Sequence, residues 1–418
     1  MTKLAIRGGE PVRSPRKPWP TWPVVTDRAV ELVTQVVRSG VWSYDGPREW
    51  EFAHRFAEFS GARYCLPVAN GTVAIQLALE SLDIGAYDEV IVPGLTWQAT
   101  AAACIDVNAI PVLVDVDPET WCLDVAAAEA AITSQTRAII VVHLYGAMAD
   151  MDGLLALCRR HDLKLVEDCA HQHGSQWRGG GVGALGDVGA FSLQLSKVLT
   201  AGEGGLNLTN QWELMQRLYS LRNCGRPFQE GSPTVQSGNY RMTDLQAAVL
   251  LAQMDYMDEW VNRRDANAIY LNGKLAAIPG ISPMKRHPQI TRQSYYCFSF
   301  RHDPAAWDGI PVAAVRSALR AEVGVQIGAP YEVLNDCSLY KPHTKRRHRL
   351  NDRYWEAIDP RRFSLPACER ARKEEGVVIW QPFLLAGQAD MDQIADAVSK
   401  LYENREELRG LTPKEEDD

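Results

Sequence analysis

Hydrophobic residues follow two alternating patterns along the chain, one helical and one extended. In residues 50–59 three phenylalanines lie three or four positions apart, which predicts a helix with one apolar face. A second helix is predicted over residues 72–82, where the polar residues Thr72, Gln76 and Glu80 occur only at every fourth position. A polar stripe this narrow indicates a helix that is mostly buried.

Short apolar runs separate the helical segments. They lie at residues 90–92, 111–114, 138–142 and 163–166. This alternation predicts an α/β fold with a mostly parallel sheet covered by helices on both faces. Ligands bind such sheets at the carboxyl ends of the strands, so the polar residues that follow these runs are the candidates for chemistry.

The pattern changes past residue 262. Before this point one long helix is predicted over 241–262, and residues 225–238, rich in Gly, Pro and Ser, are expected to form an exposed loop. After it the predicted elements are a strand at 295–300, a helix at 312–323, a strand at 376–380 and a helix at 390–402. We therefore expect an N-terminal segment and a large domain at 1–262 and a smaller C-terminal α+β domain at 263–418. The acidic residues 415–418 are expected to be a solvated tail.

Composition narrows the class of protein. A length of 418 residues, 46% of them hydrophobic and 23% charged, is typical of a globular protein with two domains. The net charge of −8 argues against a nucleic-acid surface, and the lack of an 18-residue apolar run argues against a membrane span. The first residues have no apolar signal core, and the nine scattered cysteines include no CxxC pair. We therefore expect a cytoplasmic protein in which all nine cysteines are buried as small hydrophobic residues.

Two candidate segments each follow a short apolar run, the first run at residues 66–68 and the second at 90–92. Asn70-Gly71-Thr72 precedes a helix, where backbone N–H groups and a hydroxyl suit a phosphate group. The alternative is that Thr72 is an ordinary helix N-cap. Trp97 follows the second strand and would stack on a flat cofactor ring, although most tryptophans are simply core residues.

A carboxylate and two histidines follow the strand at 163–166. Asp168 stands at the end of an apolar run, where a carboxylate is costly unless it is paired. Beside a pyridine nitrogen it would keep that nitrogen protonated, while His171 would hold a ring hydroxyl or the substrate. The alternatives are a capping Asp and structural histidines. A metal site at His171 and His173 is not expected, because no further ligand follows from the sequence.

An isolated lysine lies in an apolar, glycine-rich stretch. Lys197 has Val198 and Leu199 after it, and desolvation in such a stretch lowers a lysine's pKa and makes the amine nucleophilic. Ser192, five residues earlier, is placed to bind a phosphate. The order of a phosphate turn, an aromatic residue, a strand-end Asp and a lysine supplies every part of a pyridoxal 5′-phosphate site.

These motifs resemble those of the DegT/DnrJ/EryC1/StrS family of sugar aminotransferases over nearly the whole chain. The residues that carry the resemblance are 70–72, 96–97, 167–171, 191–192 with Lys197, 202–205 and 238–242. The resemblance implies a fold-type I pyridoxal 5′-phosphate enzyme that is a homodimer, with active sites between the subunits. No metal is implied.

The same resemblance implies roles for individual residues. Lys197 would bind the cofactor covalently, and Asp168 would pair with the pyridine nitrogen. The further contacts that it implies are stacking by Trp97 and phosphate binding by Gly71, Thr72, Ser192 and, from the neighbouring subunit, Asn239. His171 stands where the family usually has Gln, so an imidazole would contact the ring hydroxyl.

One branch of the family is similar at further positions. The glutamine-dependent aminotransferases of scyllo-inosose and 2-deoxy-scyllo-inosose are similar to this chain at residues 19–23, 198–202 and 340–344. The chain departs from them at residues 222–227 and 378–382. The implied function is ping-pong transfer of an amino group from glutamine or glutamate to a cyclitol ring ketone, in aminocyclitol antibiotic biosynthesis. The small-molecule partners are this donor and a keto-cyclitol or keto-sugar acceptor.

Three alternatives stay open. An aminotransferase of nucleoside-diphosphate keto-sugars would need a basic groove, and Lys345-Arg346-Arg347 is either that groove or a solvated loop. An enzyme like aminohydroxybenzoate synthase shares much of the motif set. A pyridoxal-phosphate-binding regulator or an inactive partner protein would belong to another class, and a dehydratase of this fold is disfavoured by the presence of Lys197.

Overall fold

The structure is a computed structural model, and it describes residues 3–411. Its strands are β1 (Tyr64–Val68), β2 (Glu89–Pro93), β3 (Ile110–Val114), β4 (Thr136–Val142), β5 (Lys164–Asp168), β6 (Gln176–Trp177), β7 (Gly180–Gly181), β8 (Val188–Ser192), β9 (Gly205–Thr209), β10 (Ile281–Pro283), β11 (Ile290–Arg292), β12 (Cys297–His302), β13 (Ile327–Gly328) and β14 (Gly376–Trp380). The predicted acidic tail at 415–418 lies outside the described residues.

The helices alternate with the strands through the first half of the chain. They are α1 (Asp27–Ser39), α2 (Pro47–Ser60), α3 (Gly71–Ser81), α4 (Ala99–Asp106), α5 (Val125–Ala130), α6 (Met151–His161), α7 (Trp212–Arg222), α8 (Asp244–Met254), α9 (Met257–Leu275), α10 (Val312–Val323), α11 (Asp352–Ala357), α12 (Pro366–Arg370) and α13 (Gln388–Glu403). The amphipathic helix predicted at 50–59 is α2, and the mostly buried helix predicted at 72–82 is α3.

A seven-stranded sheet forms the centre of the molecule, in the order β1-β9-β8-β5-β4-β2-β3. Neighbours from β8 to β3 are parallel, whereas β9 is antiparallel to both β8 and β1. Parallel strands need a long crossover connection, while β8 and β9 are joined by the loop 193–204 and therefore run in opposite directions. The predicted α/β fold with a mostly parallel sheet is confirmed.

A four-stranded antiparallel sheet, β10-β12-β14-β13, lies in the C-terminal part of the chain. The elements predicted at 312–323 and 376–380 form at those residues, and the strand predicted at 295–300 forms two residues later, as β12. A small three-stranded sheet, β11-β6-β7, completes the strands of the described residues.

The single helix predicted at 241–262 is wrong. The chain forms α8 and α9, with a turn at Asp255 and Tyr256 between them. A capping box of Thr243 and Gln246 starts α8 three residues later than predicted. The turn is closed by a hydrogen bond from Tyr256 N–H to the carbonyl of Gln253. The apolar periodicity continues on both sides of this turn, so the pattern alone does not reveal the break.

Two separate hydrophobic cores accompany the two larger sheets, and α9 connects them. Its first turns, including Met257 and Val261, pack in the core of the large sheet, whereas Leu271 and Leu275 pack in the second core. Leu4, from the predicted N-terminal segment, also packs in the second core. The domain division at 262 stays a prediction.

All nine cysteines lie within the described residues and are free thiols, and seven of them are buried. The expectation that all nine are buried is wrong for Cys224, which is exposed, and for Cys337, which is half-buried. Both lie in irregular segments between elements, where no periodicity predicts burial. None of the helices formed by residues 3–411 combines the length and the hydropathy that a membrane span requires.

Candidate active site

Asp168 is the last residue of β5, near the middle of the large sheet, and is only 6% exposed. Its Oδ2 accepts a hydrogen bond from the Thr100 hydroxyl at 2.9 Å, and its Oδ1 accepts one from the backbone N–H of Ala170 at 3.2 Å. Burial raises the pKa of this carboxyl, while the two hydrogen bonds and the charge of Lys197 act in the opposite direction. A buried carboxylate held in this way is a natural partner for a protonated nitrogen.

Lys197 lies in the loop 193–204, which starts at the carboxyl end of β8. Two hydrogen bonds hold the backbone of Lys197. Its N–H donates to the Gln194 carbonyl at 2.9 Å, and its carbonyl accepts from the Trp22 indole N–H at 3.0 Å. The side-chain Nζ lies 4.0 Å from the centre of the Tyr296 ring. Burial lowers the pKa of Lys197 to about 8, although the charge of Asp168 acts to raise it. A substantial fraction of the amine is therefore neutral and nucleophilic near pH 8.

Helix α3 begins at Gly71, beside the end of β8. Its N-cap is Asn70, whose side chain accepts the N–H of Val73 at 2.9 Å, so the alternative that Thr72 is the cap is wrong. A Cβ at Gly71 would lie only 2.7 Å from the Cβ of Ser192. Glycine thus allows the helix start and the Ser192 hydroxyl to face one another. Free N–H groups at a helix start attract anions.

His171 is buried and is surrounded by tyrosine rings. Its ring stacks on Tyr296, with centroids 4.2 Å apart, and on Tyr145 at 5.6 Å. Burial lowers the pKa of His171 well below its usual range, so the ring is neutral. Its Nδ1 accepts the backbone N–H of Tyr145 at 3.0 Å, which assigns the proton to Nε2, 3.3 Å from the Tyr331 hydroxyl. His171 is therefore a hydrogen-bond donor through Nε2.

His173 has a structural role, because its side chain binds the backbone at the end of β8. Its Nε2 donates a hydrogen bond to the carbonyl oxygen of Ser192 at 2.9 Å. Burial lowers the pKa of His173 to about 3, so its ring is neutral. Neither histidine belongs to the one metal-like group among residues 3–411, His143 with Glu167 and Cys169. In that group the carboxylate of Glu167 already accepts three backbone N–H groups at 2.7–2.9 Å.

Seven of the eight site residues predicted from the sequence line one cavity of about 620 Å³, which we call the inner cavity. They are Gly71, Thr72, Trp97, Asp168, His171, Ser192 and Lys197. Trp97 is 47% exposed, so it is a wall of the cavity and not a core residue. Asn239, also within the described residues, lies outside this cavity, on the surface, where it forms a β-bridge with Asn223.

A second cavity of about 520 Å³, here called the outer cavity, adjoins the inner one. The residues that line both are Thr96, Trp97, Ser196, Tyr296 and Tyr331. The residues found only in the outer cavity include Gln98, Gln326, Glu332, Ser338, Leu339 and Trp380. Most of them come from loops and strand ends of the C-terminal half of the chain.

Four residues of the site were missed from the sequence: Thr100, Tyr145, Tyr296 and Tyr331. Thr100 is a fully buried hydroxyl residue on apolar α4, and this isolated polar position was a usable signal. Tyr145 follows β4 just as Asp168 ends β5, so the strand-end rule also applies to it. Tyr296 and Tyr331 come from the C-terminal half and carry no pattern that places them here.

The fold and this site together define an α/β enzyme of the aminotransferase class. The solved structure of 3-amino-5-hydroxybenzoic acid synthase has the same fold, with a TM-score of 0.79 and 29% identity over 95% of this chain and 100% of that one. The model of the DegT/DnrJ/EryC1/StrS aminotransferase family matches residues 23–379, and the chain belongs to this family.

Two curated relatives resemble the chain along its whole length. L-glutamine:2-deoxy-scyllo-inosose aminotransferase of Streptoalloteichus tenebrarius is 44% identical, covering 97% of this chain and 99% of the relative. L-glutamine:scyllo-inosose aminotransferase of Streptomyces griseus is 41% identical, with the same coverage. The fold, the enzyme class and the family predicted from the motifs are confirmed.

Proposed function

We propose that this enzyme uses pyridoxal 5′-phosphate to move an amino group from L-glutamine to the ring ketone of a cyclitol related to scyllo-inosose, in an aminocyclitol antibiotic pathway. The observation that carries the proposal is the inner cavity, in which a desolvated Lys197, a buried Asp168 and the start of α3 face the same space. The names of the two curated relatives support the donor and the acceptor.

The residues of the inner cavity fit the cofactor. Gly71 and Ser192 form a cradle that a Cβ would fill, which suits a phosphate bound by backbone N–H groups. Asp168 would hold the pyridine nitrogen in its protonated form, Trp97 would cover one face of the ring, and His171 would donate Nε2–H to the ring hydroxyl. When bound, the cofactor supplies an electron sink for the negative charge that develops at the donor's Cα.

Lys197 performs two tasks in the proposed mechanism. Its Nζ would hold the cofactor covalently. As a free amine, the same Nζ would take the proton from the donor's Cα and pass it to the cofactor. A pKa of about 8 suits this task, because the same group must accept and release a proton near neutral pH. In the second half-reaction Lys197 would move a proton in the opposite direction, toward the ring carbon that receives the amino group.

Other chain groups hold this lysine in position and wall its cavity. The Trp22 indole fixes the Lys197 backbone, and the Tyr296 ring lies beneath Nζ. Tyr296 and Tyr331 also wall the inner cavity with aromatic rings, and the low polarity of such walls would strengthen the interaction of a charged group with Asp168.

The alternative acceptor, a nucleoside-diphosphate keto-sugar, has less support. Arg347 pairs with Asp106, and Lys345 lies 4.0 Å from the same carboxylate. Within the described residues, none of Lys345, Arg346 and Arg347 lines either cavity. Asp106 does line the inner cavity, so this segment is tethered at the edge of that cavity without contributing a side chain to its described lining.

Two further features belong to the proposal. A homodimer would bring the exposed Asn239 of one subunit to the phosphate end of the other's cavity, as the resemblance implies. Nine free thiols suit a reducing cytoplasm.

The test is reductive labelling followed by a spectral assay. Purified enzyme with pyridoxal 5′-phosphate should be yellow, and borohydride should attach the cofactor to Lys197, as read by peptide mass spectrometry. In a separate sample that has not been reduced, L-glutamine should bleach the aldehyde absorbance, and scyllo-inosose or its 2-deoxy form should restore it. Label on another lysine, or recovery only with a nucleotide keto-sugar, contradicts the proposal.

A further inference from the structure

The outer cavity has an unusual charge pattern for a site that adjoins an anionic cofactor. Among residues 3–411, no lysine, arginine or histidine lines it. Its hydrogen-bonding side chains are mainly neutral, such as Gln98, Gln326 and Ser338, and Trp97 and Trp380 supply flat apolar walls. The one carboxylate in this lining is Glu332.

Glu332 is held in a defined orientation. Its Oε2 accepts two hydrogen bonds from Ser338, one from the backbone N–H and one from the hydroxyl, each at 2.7 Å. These bonds, with the charge of Arg372 as a smaller contribution, lower the pKa of Glu332, so it is ionised at neutral pH. Arg372, whose guanidinium donates to the Pro330 carbonyl, does not line the outer cavity.

A fixed carboxylate in such a setting discriminates between two classes of acceptor. Hydroxyl groups of an uncharged ring donate to a carboxylate, and a charge-assisted bond of this kind is stronger than a neutral one. A substituent that carries phosphate groups meets repulsion instead, with no cation of the described lining to offset it. The apolar face of a cyclitol ring would pack against the two indole walls.

Resting on the proposed function, we infer that Glu332 is a specificity-determining residue. Its carboxylate binds a hydroxyl of an uncharged polyhydroxylated ring in the outer cavity and excludes nucleoside-diphosphate sugars. Trp97, Tyr296 and Tyr331 line both cavities, so a ring bound in the outer cavity would lie against side chains that also wall the inner one.

Isothermal titration calorimetry on the cofactor-loaded enzyme tests this assignment with unreactive probes. We use scyllo-inositol for the uncharged ring and dTDP-glucose for the nucleotide sugar. The wild-type enzyme should bind scyllo-inositol more tightly than dTDP-glucose. Glu332→Gln should weaken scyllo-inositol binding about 10- to 100-fold, the range for loss of a charged hydrogen-bond partner. Glu332→Lys should reverse the preference.

Asp336→Asn is the matched control, because Asp336 is exposed in the same loop and lies outside the lining of both cavities. It should bind both probes as the wild type does. Bleaching of the aldehyde absorbance by L-glutamine is recorded on each preparation. If the wild type does not bleach, the aminotransferase function is contradicted, independently of the role of Glu332. With bleaching intact, equal scyllo-inositol binding by wild type and Glu332→Gln overturns the role of Glu332, as does tighter wild-type binding of dTDP-glucose.

Discussion

The inner and outer cavities share five lining residues but are built in different ways. The inner cavity collects residues at the carboxyl ends of parallel strands and at helix starts, such as Asp168 and Gly71. The outer cavity is walled mainly by loops of the C-terminal half, with Gln326, Glu332 and Trp380 as examples. One holds the lysine and the carboxylate proposed for the chemistry, and the other holds neutral hydrogen-bonding groups and the one carboxylate proposed for recognition. Under these proposals, reaction type and acceptor choice are encoded in different parts of the chain.

Removing the reactive amine is the strongest way to test this division. Lys197→Ala should lower turnover by at least about 10⁴-fold with every acceptor, because nucleophile and proton carrier are lost together. The fold should stay intact, since a buried amine is replaced by a small apolar group. Steady-state kinetics and circular dichroism measure both. Lys164→Ala, at an exposed lysine of β5, is the control and should keep wild-type turnover.

The second largest effect is expected at the carboxylate. Asp168→Asn should lower kcat about 10²- to 10³-fold, because the negative charge that favours a protonated ring nitrogen is gone. Thr100→Val removes only one hydrogen bond to Asp168 and should cost about 10-fold or less. Single-turnover absorbance measurements compare the two. A larger loss in Thr100→Val than in Asp168→Asn would contradict the assigned order.

Filling the space between Gly71 and Ser192 should weaken binding of the cofactor's phosphate group. Gly71→Ala brings a Cβ to 2.7 Å from Ser192 and should weaken pyridoxal 5′-phosphate binding about 10- to 100-fold. Fluorescence titration of the cofactor-free enzyme gives the dissociation constant. Gly273→Ala, in α9 with open space around it, should leave this constant unchanged and stabilise the fold by about 0.5–1 kcal/mol.

The lowered pKa of Lys197 predicts a pH dependence. The rate at which cofactor-free enzyme combines with pyridoxal 5′-phosphate should rise about 10-fold from pH 7 to pH 9, with a midpoint near 8, as the amine becomes neutral. Because the folded pKa lies below the ordinary 10.5, the folded state binds fewer protons between about pH 8 and 10.5. Stability of the cofactor-free protein should therefore rise with pH in this window. Stopped-flow absorbance measures the rate, and a flat profile would show an amine in another environment.

The smallest effect is expected in the outer cavity. Gln326→Ala should raise KM for the ring ketone about 3- to 10-fold and leave kcat nearly unchanged, because one neutral hydrogen bond is lost in a cavity that Lys197 does not line. A fall in kcat with unchanged KM would mean that the two cavities do not divide chemistry from recognition.

Much of the inner cavity was predictable because its residues obey local rules. Asp168 and Ser192 end strands, Gly71 starts a helix, and the isolated Lys197 in an apolar stretch marks a desolvated amine. The break between α8 and α9 was not predictable, since apolar spacing continues through the turn at Asp255. The half-buried Cys337 was missed for a related reason, because loops have no periodicity that reports burial.

Sequence patterns were enough to predict the alternation of strands and helices, the enzyme class and the residues that we propose carry the reaction. Tertiary packing alone brought Tyr296 and Tyr331 to the inner cavity with Lys197, and Glu332 to the outer cavity that adjoins it. The difference lies in how far apart in the sequence the interacting residues are. Hydrophobic periodicity and strand-end positions are set by neighbours a few residues apart, whereas the walls of the outer cavity meet through packing between segments more than a hundred residues apart.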